Sequence, residues 1–318
     1  MSRIPHKSIG SLVAVFALSM LLFAESVHAK QRLHQLVIET GSYTRTVIKW
    51  KSALDNSKVH LGSKTWIGPV KGNGVGDKKH RSGNRNTIIY MPARTKINEP
   101  VDLIFFFHGL RGFGTRDFET RILSRSKQLS DAGHNFLVIA PEMPWSQNTT
   151  TPSRRQSHVW RGSNRENIVT FYQTVRRMIE AHFLFHMLPR TTCMLHNLCN
   201  VRIGKLVIVG HSAGGSAIRM AAASGGLDTI RPNRLVFSDA GYGRWTDQTW
   251  KHYVKDHTST QWVILVRKWD RPHRNTERFF KRLRRIPENI VYRVFSRKTH
   301  GHGTIGDECL LWAYPTGR

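Results

Sequence analysis

From residue 86 onward the chain repeats one pattern: a short run that is apolar throughout, then a longer segment that is apolar on one face. The continuous runs are NTIIYMPA (86–93), VDLIFFFHG (101–109), NFLVIAPE (135–142), KLVIVGHS (205–212), RLVFSDAG (234–241), QWVILVRKWD (261–270) and NIVYRVFS (289–296). Runs that do not alternate are what strands covered on both faces look like. Between them lie 120–133, 166–183, 216–225, 276–285 and 307–314, where apolar positions recur near i, i+3, i+4 and i+7. That period predicts helices. Strand–helix alternation predicts an α/β fold with a mostly parallel central sheet, helices on both faces and right-handed crossovers. No internal repeat interrupts it, so 86–318 is read as one domain.

The rest of the chain departs from this pattern. Residues 30–85 are polar and basic, with an initial hairpin or strand expected in LHQLVIET and TRTVIKW. The G-x-G-x-G within KGNGVGDKKHRSGNRN is an exposed loop, because no strand leads into it and no apolar helix follows. Residues 142–164 form a long polar insertion carrying Trp145 and Trp160. Loops of this length serve as lids or binding loops, so both tryptophans are expected to line the substrate cleft. Its sequon at Asn148 matters only in a glycosylating host. At the N-terminus, Arg3 and Lys7 precede an apolar stretch at 11–24 and a small-x-small site ending at Ala29. This reads as a signal peptide over 1–29 and an exported, secreted or periplasmic protein. The stretch is shorter than the roughly 20 residues that a membrane span needs.

Charge changes the picture more than composition does. The 318 residues carry a formal net charge of +28, and the expected cleavage removes only one unit of it. Residues 261–300 hold twelve Lys or Arg against three acids. In FFKRLRR, Phe279, Phe280 and Leu283 are placed to face the core, and Lys281, Arg282, Arg284 and Arg285 to face water. Such a face suits an anionic surface or polymer. No nucleic-acid-binding signature accompanies it, so specific nucleic-acid binding is not expected. Three cysteines are present: Cys193 and Cys199 bracket a short loop and are the preferred disulfide, and Cys309 reads as a buried core thiol. Too few ligands cluster for a zinc site, so no metal and no cofactor is expected.

The chemistry is concentrated where the fourth regular run stops. Gly210-His211-Ser212-Ala213-Gly214 is a G-x-S-x-G between a strand and a small-residue helix. That context defines a nucleophile elbow, in which a strained turn lifts the serine hydroxyl to the carboxyl end of the sheet. With it, the ordered features from 86 to 312 resemble the α/β-hydrolase superfamily, in particular secreted bacterial serine esterase or lipase-like members. The carriers are the strand ending in Pro-Ala, the strand ending in His108-Gly109, the elbow, and HGTIG ahead of a last helix. The resemblance implies an oxyanion hole from the Leu110 and Ala213 amides, with His108 and His211 beside the substrate. It implies the order serine, acid, histidine. His302 is the preferred base and His300 the alternative. Asp270, after the QWVILVRKWD run, is the preferred acid, Asp239 the alternative and Glu142 a weaker third.

The expected activity is hydrolysis of carboxylic esters, small-molecule or lipid-like, through an acyl-enzyme on Ser212. Two alternatives stay open: a peptidase or amidase with the same triad, and a non-catalytic binding protein that uses the basic face. The sequence is silent on acyl and alcohol specificity and on oligomeric state.

Overall fold

A computed structural model describes residues 64–70, 85–92, 94–96, 99–110, 118–143, 168–177, 179, 202–283 and 285–315. All belong to the unit Val47–Arg318. The signal segment, the hairpin expected before residue 51, the Gly-rich loop, Trp145, Trp160, Asn148, Cys193, Cys199 and Arg284 lie outside the described residues.

Eight strands form one sheet: β1 Lys64–Val70, β2 Arg85–Met91, β3 Val101–Phe107, β4 Phe136–Pro141, β5 Ile203–His211, β6 Arg234–Ser238, β7 Gln261–Arg267 and β8 Ile290–Phe295. Their spatial order is β1-β2-β4-β3-β5-β6-β7-β8. The β1–β2 and β2–β4 pairs are antiparallel, and every pair from β4 to β8 is parallel. Each of the seven continuous apolar runs from residue 86 onward is a strand. The sheet also takes in 64–70, part of the stretch set apart as an N-terminal extension. Pro69 is tolerated there because β1 is an edge strand.

The reason for the unbroken apolar runs is visible in the core. Leu103, Phe105 and Phe107 of β3 join one cluster with Ile208, Phe237, Trp262 and Ile264. Ile104 and Phe106 join a second cluster with Val207, Val209, Val236 and Val263. Successive side chains point to opposite faces, and both faces are buried, so no position is left for a polar residue.

The helices are α1 Ser124–Asp131, extended at its start by a π turn over Phe118–Leu123, α2 Ile168–Arg177, α3 Gly214–Ala223, α4 Gly226–Ile230, α5 Trp245–Thr249, α6 Arg271–Phe280 and α7 His302–Glu308. The short helices α4 and α5 match no expected helix, and two expected ones begin elsewhere. Helix α6 begins at Arg271, not at Thr276, because Asp270 is extended and Pro272 suits the first turn. Helix α7 begins at His302, behind an extended Gly301, so HGTIG is the first turn of the helix and not a loop ahead of it. Phe279 and Phe280 are buried and Leu283 half-buried, while Lys281, Arg282 and Arg285 are exposed.

From β3 the chain crosses to β4 on one side and later returns to β5 on the other. In open α/β sheets such a reversal opens a crevice at the carboxyl ends of the strands. Strand β5 ends there at His211.

Candidate active site

Ser212 is the first residue beyond β5 and has φ +51°. A serine in the left-handed region is uncommon, at a cost of about 1–3 kcal/mol. Two contacts hold it. Its N–H donates to the Ser238 carbonyl at 2.9 Å, and helix α3 begins two residues later. The flanking glycines are required by space: a Cβ on Gly214 would overlap the Phe107 carbonyl oxygen, and one on Gly210 would lie 2.8 Å from the Gly214 backbone. The turn is therefore tight enough to aim the hydroxyl outward.

Beside the serine runs the β3 exit. A Cβ on Gly109 would lie 3.2 Å from the Ser212 Cβ, so the Gly109–Leu110 backbone passes next to the nucleophile. His108 fixes this passage. Its Nδ1–H donates to the Gly109 carbonyl at 2.7 Å, and its Nε2 accepts from the Met143 N–H at 2.9 Å, which sets the tautomer. Ala213 precedes the first residue of α3, where backbone N–H groups have no intrahelical acceptor. Leu110 is partly exposed.

His302 and Asp239 come from the other side. His302 Nδ1 lies 2.5 Å from Asp239 Oδ2. The Asp239 carboxylate is 1% exposed, and its other oxygen accepts from the Arg267 N–H at 3.3 Å. Asp239 has φ +46°, so two adjacent strands end in left-handed residues. Among the described residues no hydrogen bond joins Ser212 Oγ to His302; catalytic hydrogen bonds are often loose before substrate binds.

The geometry pairs His302 with Asp239, the alternative acid of the sequence reading, and not with Asp270, the preferred one. Ser238 is opposite Leu265 in the sheet, so Asp239 emerges at the edge one strand from Ser212. Asp270 emerges five residues past Leu265, where its carboxylate is taken by Arg267 at 3.2 Å and lies 3.7 Å from Arg297. His300, the alternative base, is also turned away: its Nδ1 is 2.8 Å from Thr299 Oγ1 and its Nε2 3.8 Å from Glu308. Glu142 follows β4, two strands from β5 on the far side.

His108 and His211, expected beside the substrate, are almost wholly buried. His211 ties the site together from beneath. Its Nε2–H donates to the His302 carbonyl at 3.2 Å, and its ring lies 4.8 Å from that of His302. The ring packs against Gly109 and Gly306, with a Cβ on Gly306 predicted by ideal geometry only 2.5 Å from Nε2. Burial, then the nearby Arg121 charge, hold its pKa well below the usual value, so it stays neutral.

Tyr242 is the residue that sequence reasoning missed. It follows the Asp239-Ala240-Gly241 turn, and its hydroxyl lies against Ser212. Burial, then the Asp239 charge, raise its pKa, so it remains a phenol. The only signal was its distance of three residues from Asp239. Cys309 is buried, as expected; burial pushes its thiol up to about 12. Among the described residues no group of His, Cys, Asp and Glu is arranged to hold a metal ion.

Compared by sequence, the chain matches no family model and no curated protein. Its structure is similar to fluorophosphonate-binding serine hydrolase F of Staphylococcus aureus, at 14% identity and a TM-score of 0.46, over 79% of this chain and 98% of that one. It is similar to the feruloyl esterase module from Clostridium thermocellum, at 13% identity and a TM-score of 0.46, over 79% of this chain and 88% of that one. A ferulic acid esterase aligns at 14% identity and a TM-score of 0.49, over 80% of this chain and 98% of that one. The strand order, the left-handed Ser212 after β5, and Asp239 after β6 paired with His302 after β8 give this chain the α/β-hydrolase fold.

Proposed function

We propose that the protein is a serine hydrolase that cleaves carboxylic esters through an acyl-enzyme on Ser212. The observation that carries this reading is the convergence of a left-handed Ser212 and the 2.5 Å His302–Asp239 pair on adjacent strand ends. In the proposed cycle Ser212 Oγ attacks the ester carbonyl carbon while His302 Nε2 takes the serine proton. Asp239 accepts the Nδ1–H bond, keeps that tautomer and stabilises the imidazolium. The oxyanion forms against the Leu110 and Ala213 amides, whose fixed direction costs no reorganisation. His302 then protonates the leaving alkoxide, and water attacks the acyl-enzyme by the reverse proton route. No metal or cofactor enters this scheme. The choice of ester over amide rests on the Pro-Ala and His-Gly opening of the chain.

A fluorophosphonate probe tests this directly. Wild-type protein should be labelled on Ser212, and Ser212→Ala should lose both label and ester turnover. Asp239→Asn should lower kcat by about 10⁴, as loss of the tautomer-setting acid does in such triads. Asp270→Asn should cost far less. Label on another residue, or full activity in Ser212→Ala, overturns the reading. The reverse order of the two aspartates moves the acid to Asp270.

A further inference from the structure

Among the described residues four non-glycine positions have positive φ, and three of them follow β5, β6 and β7: Ser212, Asp239 and Trp269. The first two belong to the proposed triad. Trp269 has no part in it, yet it has φ +68° and is 61% exposed, the most exposed of the large apolar side chains described. Beyond an edge-on contact with the His273 ring at 6.1 Å, a bulky residue held in that conformation with most of its ring in water adds little to the fold. Strain of this kind is typical of ligand clamps.

The surroundings of Trp269 are cationic. Lys268 Nζ lies 5.3 Å from the ring centroid. Arg271 is exposed and, among the described residues, has no carboxylate partner. Its helix is fastened to the site: Asn275 Nδ2–H donates to the Gly241 carbonyl at 2.9 Å, next to Tyr242, whose hydroxyl faces Ser212. Strands β5 and β7 are separated by β6 alone, so the strand ends that carry Ser212 and Trp269 are about two strand spacings, ~10 Å, apart along the sheet edge.

The carboxylates that follow these strands are already committed: Asp239 pairs with His302, and Asp270 with Arg267 and Arg297. Among the described residues Lys268 and Arg271 have no carboxylate partner. We infer that the ester taken by this site carries a negative charge and a flat apolar group, the anion meeting Arg271 and Lys268 and the flat group lying on Trp269. The inference rests on the serine-hydrolase reading above. It is local, and differs from the general attraction of a basic protein for anions.

Two matched aryl acetates separate these ideas: 4-acetoxybenzoate, which is anionic, and its neutral methyl ester. At low ionic strength wild-type kcat/KM should favour the anionic ester by about fivefold, the scale of two partly solvated ion pairs. R271Q with K268Q should bring that ratio towards one, chiefly by raising KM for the anionic ester. K281Q with R285Q, on the far end of the α6 region, should leave the ratio in place. Trp269→Gly, which suits the left-handed backbone, should raise KM for both esters. Equal kcat/KM for the two esters in wild type overturns the inference while the hydrolase reading stands. So does a ratio that survives R271Q with K268Q, or one that K281Q with R285Q abolishes equally; unchanged KM in Trp269→Gly overturns the aromatic half. Failure to turn over either ester, with no fluorophosphonate label, overturns the hydrolase reading and this inference with it.

Discussion

His211 occupies the variable position before the nucleophile, yet it makes more connections than the serine does. It touches the backbone passage at Gly109, helix α7 at Gly306 and the start of that helix through the His302 carbonyl. Protonation would put a charge in a buried place, with its Nδ1 lacking any acceptor. The folded pKa lies below the unfolded value, so the unfolded chain binds the proton more readily. Stability from this residue is therefore complete above the ordinary histidine value of about 6.5 and is lost as pH falls below it. His211→Gln should remove that dependence. The stability gap between wild type and variant, read by urea unfolding, should begin to change near pH 6.5 and approach about 1.4 kcal/mol per pH unit roughly one unit lower. A constant gap from pH 7.5 to 5 would show that His211 is not held neutral.

At the scale of elements, the site is an agreement between strand ends and one short helix. Strands β5 and β6 set Ser212 and Asp239 side by side through backbone hydrogen bonds, so their spacing is that of the sheet. His302 has no such guarantee, because α7 has only seven residues. The helix is anchored from its outer side. Arg121 Nε, in the π turn before α1, meets Asp307 Oδ1 at 2.9 Å, and Arg125 Nε–H donates to the Asp307 carbonyl. On its inner side Ser238 Oγ–H donates to the Ile305 carbonyl at 3.0 Å. Asp307→Asn removes one anion from the Arg121 guanidinium, which is mostly shielded from water. It should lower stability by about 1–3 kcal/mol and reduce kcat more than it raises KM, since the base moves while the acyl site does not. Thermal melting together with steady-state kinetics checks both halves. A variant that melts lower with kcat unchanged would make the pair structural only.

For the whole molecule the dominant quantity is charge. Lys281, Arg282 and Arg285 point to water as FFKRLRR implies, but Arg282 is occupied by Asp247. Each exposed cation near an anionic membrane surface contributes about 1 kcal/mol, decaying over about 8 Å at physiological salt. Binding to vesicles containing phosphatidylserine should fall steeply with added salt. The variant with Gln at 281, 282 and 285 should bind more weakly with an unchanged kcat on a neutral soluble ester. Binding that is absent at low salt, or indifferent to both changes, would reduce the basic surface to a solubility feature.

Local patterns were enough to fix much of this protein. Continuous apolar runs specify strands buried on both faces, and G-x-S-x-G between strand and helix specifies the elbow, because both depend on neighbours in the chain. Ser212 was legible for that reason, and His302 through the resemblance of HGTIG to a hydrolase-like ending. The aspartate that pairs with His302 was not. Asp239 and Asp270 each follow an apolar strand, and the sequence does not say that β6 releases its aspartate level with the serine while two arginines claim the other. The same limit hid Tyr242 and the partnership of His211 with the His302 carbonyl, 91 residues away. Contacts across strands depend on register and on which side chain arrives first at a charge, and those are decided only when the sheet is assembled.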